Sequence, residues 1–179
     1  MTAAAANWLK AASWDTNNDA GRELGRDEYD RPEKHMNESW MPNGYRTVTP
    51  NIIVDNAEDA IAFFRQGLGA IEQYRLTLSN GKITHCELKL GDSVVNVGES
   101  MEGWPAHGLV AQIYVEDSDA LFARAVAAGA TVVMPMTDMF FGVREGRVSD
   151  PFGNIWTIAT LKEQVSPAEM QRRLVAAGY

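Results

Sequence analysis

Cysteine is almost missing from this chain: Cys86 stands alone, so no intrachain disulfide can form and no cysteine-rich zinc site can be assembled. Histidine is nearly as scarce, with His35, His85 and His107 the full set. No apolar run is long enough to span a bilayer. The opening "MTAAAANWLKAASWD" lacks the basic start and apolar stretch of a signal peptide, which sets the expectation of a cytoplasmic protein. Basic residues are outnumbered, 16 Lys and Arg against 24 Asp and Glu, for a net charge of −8. A surface of that sign repels phosphate backbones and anionic headgroups, so nucleic-acid and membrane partners are not expected. Also absent are a phosphate-cradling glycine loop, a nucleophile-elbow motif and zinc-ribbon spacing.

What is present suffices for one substantial core. The 179 residues are 45% hydrophobic, the length of a single domain with an appendage. Residues 1–44 hold the appendage: "DTNNDAGRELGRDEYDRPEKHMNESWMPNG" is crowded with Asp, Glu, Asn, Arg and Gly and shows no sustained apolar period. Trp8, Leu9, Trp14, Tyr29 and Trp40 are scattered through it. Two readings stand: a partly disordered extension with a short helix near "AAAANWLKAA", or an arm that docks through its tryptophans.

From Tyr45 the punctuation becomes regular. "TVTPNIIVD" reads as a strand, and "NAEDAIAFFRQGLGA" as a helix with Ala60, Ile61, Phe64 and Leu68 at helical spacing, closed by Gly69. "IEQYRLTLS" and "KITHCELKL" flank Asn80-Gly81, which predicts a two-residue hairpin turn. Gly91-Asp92 turns the chain again into "SVVNVGE". The pattern then recurs: "IIVDNAEDAIAFFRQGLGA" and "IYVEDSDALFARAVAAGA" match with one deletion, and three further strands follow the second helix. A βαβββ unit therefore occurs twice, at 45–99 and 109–162, joined by a linker at 100–108. In the tail, Ser166, Pro167 and Glu169 form a capping box for a helix over 166–177, whose Met170, Leu174 and Val175 make one apolar stripe.

A duplicated βαβββ chain carrying "HCELKLGDSVV" and ending in "GRVSDPFGNIWTIAT" resembles the vicinal oxygen chelate superfamily, in its glyoxalase and bleomycin-resistance-like branch. The resemblance covers roughly residues 45–162. It implies an α+β fold of two tandem βαβββ modules, each curling into a half-barrel, the pair facing each other around a cupped cavity. It also implies a small-molecule ligand or substrate, possible homodimers, and a setting in antibiotic resistance or secondary metabolism. Metal-dependent relatives hold four His, Glu or Gln ligands on the first and last strands of the modules. Those positions fall here on Thr49, Val110, Thr157 and either Asn96 or Val95. Such side chains do not replace imidazole and carboxylate, so neither an inherited metal nor another cofactor is expected.

Strand alternation then distributes the remaining side chains. With Gly91-Asp92 as a two-residue turn, Leu90 pairs with Ser93, Lys89 with Val94 and Glu87 with Asn96. Leu88 and Leu90 face the helix, while His85, Glu87, Val94 and Asn96 face the cavity. The predicted ligand wall comprises Thr49, Asn51, Asn96, Gln112, Tyr114 and Thr157, with Phe140, Phe141 and Arg144 as an aromatic and cationic lid. Trp104 belongs to the same aromatic group and Arg147 flanks the turn with Arg144; the alternative for these residues is a core aromatic and a solvated arginine. Trp156 and Cys86 face the core. Glu87, with His85 beside it, is either a general acid or base or a structural hydrogen-bond acceptor. Four functions remain open: a metal-free binding protein for aromatic or planar ligands, a metal-independent isomerase, epimerase or lyase using Glu87, a metal-dependent lyase or dioxygenase with displaced ligands, and a protein-interaction role through the tryptophan-bearing arm.

Overall fold

Asn56 converts an extended chain into a helix by accepting a hydrogen bond from the Asp59 amide, the standard N-cap arrangement. Asp117 does the same for the Ala120 amide 61 residues later. The computed structural model describes residues 40–178, so the readings placed on Trp8, Leu9, Trp14, Tyr29 and His35 lie outside the described residues. A compact unit begins at Asn43.

Within it, strand β1 (Asn51–Val54), helix α1 (Ala57–Gly67), β2 (Ile71–Thr77), β3 (Ile83–Leu90) and β4 (Ser93–Glu99) form the first module. Strand β5 (Val110–Tyr114), helix α2 (Ser118–Ala127), β6 (Thr131–Asp138), β7 (Val143–Ser149) and β8 (Ile155–Leu161) form the second. Helix α3 (Pro167–Ala176) follows, with Ser166 accepting from the Glu169 amide and Pro167 in the first turn. Its stripe is shallower than the spacing suggested: no α3 residue is buried, and Arg173 fastens it through Glu163 and the Phe140 carbonyl.

The sheets repeat one topology, β1-β4-β3-β2 and β5-β8-β7-β6, with β1 parallel to β4 and β5 parallel to β8. The duplication extends to register. Asn51 and Glu87 flank Asn96 in sheet one, and Gln112 and Arg147 flank Thr157 in sheet two. The predicted pairs Leu90–Ser93, Lys89–Val94 and Glu87–Asn96 are the observed ones.

The Asn80-Gly81 turn differs. Leu78 donates to the Lys82 carbonyl and Gly81 to the Leu78 carbonyl, with Gly81 at φ +86, so the loop is three residues closed by a left-handed glycine. Two register shifts in the β2–β3 ladder accompany it.

The core sits on the helix side of both sheets at once. Ile52, Val54, Cys86, Leu88, Val95 and Val97 of sheet one share a buried cluster with Val148, Trp156 and Ile158 of sheet two. Phe64 of α1 packs edge-on to Trp156 at 5.7 Å and to Phe152 at 6.4 Å. Arg124 of α2 crosses to the end of α1, donating to the Arg65 carbonyl and bonding that of Gln66. Since both sheets turn their helix sides to this shared core, their opposite faces look outward. The two modules thus pack helix side to helix side, and each four-stranded sheet forms one of the expected pair of half-barrels.

The turn before β8 ties the structure to its linker. Asp150 accepts from the Phe152 and Asn154 amides, the Asn154 side chain and the Trp156 indole, all at 2.7–2.9 Å. Asn154 in turn accepts from the Leu109 amide. Gly108 passes so close to the Gly153 carbonyl that a Cβ there would lie 2.2 Å from its oxygen. The predicted core role of Trp156 is the observed one.

Candidate functional site

The outward face of sheet one collects the polar residues that alternation assigned to it, and two that it did not. Glu87 and Asn96 are cross-strand partners on β3 and β4, and the Tyr45 hydroxyl, reaching over from the segment before β1, donates to both. The Asn96 contact is the longer, at 3.3 Å. Two residues along β3, His85 Nε2 lies 3.3 Å from the Tyr74 hydroxyl and 3.7 Å from Glu87 Oε1. The Tyr74 and His85 rings are tilted against each other with centroids 5.5 Å apart. Five side chains, from Tyr45, Tyr74, His85, Glu87 and Asn96, thus form one connected polar surface.

Tyr45 and Tyr74 are the residues that sequence reasoning missed. Tyr45 lies outside any strand, so no periodicity places it. Tyr74 pairs with Glu87 only because a register shift separates it from Glu72, which pairs with Leu88. Burial, and then the hydrogen bond to Glu87, hold the Tyr45 phenol well above the ordinary tyrosine range. Cys86 points to the core, fully buried, and burial pushes its thiol up to about 11.

Sheet two presents a different arrangement at equivalent positions. Glu145, 3% exposed, accepts from Arg147 at 3.2 Å and from Gln112 at 3.5 Å. Thr157 lies between Arg147 and Gln112 in the ladder. Apolar surface surrounds this group, with Val110 75% exposed and Tyr114 61% exposed on the edge strand β5. Sequence reasoning missed Glu145 as well, although it alternates with Arg144 along β7 and so takes the opposite face.

The structure splits the predicted wall into two sets on separate faces. His85, Glu87, Asn96 and exposed Asn51 belong to sheet one; Gln112, Tyr114 and Thr157 belong to sheet two. Thr49 precedes β1, half-buried, with its hydroxyl on the Arg46 carbonyl.

The expected lid is not assembled. Arg144 alternates to the helix side of β7, where both Asp119 oxygens take its guanidinium at 2.7 Å and Asp138 adds a contact at 3.2 Å. Phe140 and Phe141 pack on each other at 5.2 Å in a turn bonded to α3 through Arg173. Trp104 is 53% exposed in a turn of the linker.

The four positions implied by the resemblance offer few donors to a metal. Val110 has no donor atom, Thr49 and Thr157 offer neutral hydroxyls, and the Asn96 oxygen is engaged by Tyr45. Register selects Asn96 over Val95, which pairs with Leu88 on the core side. These groups do not fit a divalent transition ion.

Comparison with known proteins places this geometry. Residues 46–158 match the Glyoxalase/Bleomycin resistance protein/Dioxygenase superfamily. Protein Rv0887c of Mycobacterium tuberculosis is 32% identical over 159 residues, covering 83% of this chain and 94% of its own length. Protein Mb0911c of Mycobacterium bovis is 34% identical over 142 residues, covering 73% and 93%. Among solved structures, TioX from Micromonospora sp. ML1 aligns with a TM-score of 0.57 at 24% identity, over 64% of this chain and 97% of TioX. Protein PA1353 from Pseudomonas aeruginosa aligns at 0.55 and 22% identity, over 65% and 98%. At those identities the two structures speak to fold alone.

Proposed function

The chain belongs to the Glyoxalase/Bleomycin resistance protein/Dioxygenase superfamily, and on that premise we propose that it is a small-molecule binding protein whose site works without the superfamily's usual metal ligands. The observation that carries this reading is the connected group Tyr45, Glu87, Asn96, His85 and Tyr74 on the open face of sheet one. A few convergent polar groups on an otherwise apolar sheet are how ligand sites are commonly built. Sheet one supplies a single wall, and the second wall comes from sheet two of another copy. Polar complementarity supports that pairing: sheet one carries the Glu87 carboxylate where sheet two carries the Arg147 guanidinium. The exposed Val110 and Tyr114 would be covered by it. The ligand is a planar or aromatic molecule with a group that donates to Glu87.

A second reading rests on the same carboxylate. Glu87, with a phenol bonded to it and an imidazole at 3.7 Å, is suited to taking a proton from a carbon next to a carbonyl. The two readings part on one variant. Thermal-shift screening of aromatic compounds against the wild type and Glu87→Gln, with light-scattering mass on the same samples, tests both. Binding without turnover, in a dimer, supports the first. Binding kept by Glu87→Gln together with lost turnover supports the second. A monomer that no compound stabilises overturns the proposal.

A further inference from the structure

Two acceptors on sheet one, Glu87 Oε1 and Asn96 Oδ1, converge on a single donor, and that donor comes from outside the duplicated scaffold. Tyr45 lies six residues before β1 begins. Counting back the same distance from Gln112, the register equivalent of Asn51, reaches exposed Ala106, so sheet two has no phenol in this place. The βαβββ unit thus folds without such a group, and Tyr45 is an addition particular to the first face.

The segment that delivers it is lightly held. From Asn43 to Pro50 the chain has no regular secondary structure. Its side-chain bonds to the sheet among the described residues are those of Tyr45 and an Arg46–Asp92 pair at 2.9 Å, whose side chains are both more than half exposed. The Thr49 hydroxyl bonds back to the segment itself, and Val48 is 81% exposed. An exposed ion pair contributes little holding power. Apart from the Pro50 carbonyl, which accepts from the Asn96 amide at 2.9 Å next to β1, releasing the phenol costs little beside unfolding the sheet.

We propose that Tyr45 is an internal stand-in for the ligand: its phenol occupies the place of a phenolic small molecule, which displaces it to reach Glu87 and Asn96. The proposal rests on the small-molecule reading above and adds to it a ligand class and a built-in competitor. A phenol fits because it repeats what the face already holds, a flat ring with one O–H directed at the Glu87 carboxylate. Competition of this kind lowers the apparent affinity by the fraction of molecules in which the face is free.

The probe is p-cresol, the tyrosine side chain as a free molecule, with toluene as the control that lacks the hydroxyl. Calorimetry on the full chain is expected to give binding to Tyr45→Ala about tenfold tighter than to wild type, or about 1.4 kcal/mol. Tyr45→Phe, which keeps the ring and loses the hydroxyl, falls between. The gain disappears in the double variant Tyr45→Ala, Glu87→Ala, and toluene shows no such gain. In the wild type, ring resonances of specifically labelled Tyr45 move as p-cresol is added. Circular dichroism confirms that each variant is folded. Equal or weaker binding by Tyr45→Ala, or Tyr45 resonances unmoved at saturation, would make Tyr45 a fixed wall and overturn the proposal. If p-cresol binds no variant, the proposal also fails. The small-molecule reading then survives if other aromatic compounds stabilise the wild type, and fails with it if none do.

Discussion

Phe64 of α1 and Trp156 of β8 meet edge-to-face at 5.7 Å, one from each copy of the repeat. The contact decides where function can sit. Trp156 and Thr157 are neighbours on one strand, so fixing the indole in the shared core sends the threonine to the outer face. Phe64 likewise covers the helix side of sheet one and leaves Glu87 and Asn96 outward. The repeats are welded back to back through their apolar sides, and every polar group of the candidate site lies on the side of its sheet away from that weld.

Phe64→Ala is accordingly expected to cost about 3–5 kcal/mol, because it removes a fully buried ring that the surrounding aromatics cannot replace by collapse. Urea denaturation measures it. A loss below about 1 kcal/mol would mean that the two modules do not depend on this contact.

Asp150 should be as costly to remove, for a different reason. Its carboxylate is 5% exposed and takes four hydrogen bonds, including the Trp156 indole and both donors of Asn154. Asp150→Ala strands those donors in the interior, and the expected loss is about 1–3 kcal/mol for each one left unsatisfied. Asp150→Asn keeps one acceptor oxygen and should lose less. Because Asn154 also holds the Leu109 amide, hydrogen exchange in the linker is expected to accelerate in Asp150→Ala.

The architecture was legible because the signals were local and repeated. Gly91-Asp92 set a two-residue turn, and the register followed as far as Glu87 opposite Asn96. Where the ladder is irregular, counting failed: the shifts in β2–β3 hid Tyr74, and the Asn80-Gly81 loop took three residues instead of two. Alternation also decides the arginines. Arg147 shares a face with Thr157, whereas Arg144, three residues earlier, falls on the opposite one beside Asp119. Tyr45 was beyond reach, since a side chain arriving from an irregular segment leaves no period to read. The mutual orientation of the repeats was equally hidden, because apolar helix faces pack as readily on each other as around separate cores.

Acid should destabilise the fold through its carboxylates. The Glu72 carboxyl is held below its ordinary value by the hydrogen bonds from Arg75, and those of Asp119, Glu163 and Glu169 by Arg144 and Arg173. A lowered folded-state pKa means that the unfolded chain binds protons first. The stabilisation is then complete above the unfolded value and is lost as pH falls through the folded one. Urea midpoints are expected to hold steady from neutrality to about pH 5 and to decline below about pH 4. The decline should be shallower in Arg75→Ala. An unchanged slope there would show that the Glu72 pair does not contribute.

Arg144 and Arg147 give the sharpest contrast between what the sequence suggested and what the fold does. Arg144 is committed to Asp119 and Asp138 on the helix side. Arg144→Ala should therefore leave ligand binding unchanged and shift stability slightly, since its partners are exposed carboxylates. Arg147 lies on the outer face against Glu145, 45% exposed and next to Thr157. Arg147→Ala removes a cation from buried Glu145 and from the wall proposed to close over the ligand. Binding of any compound that stabilises the wild type is expected to weaken by about tenfold. The same calorimetric titration on both variants checks this. If the Arg144 variant loses binding and the Arg147 variant does not, the site lies on the helix side of sheet two, and the outward faces are not where the ligand goes.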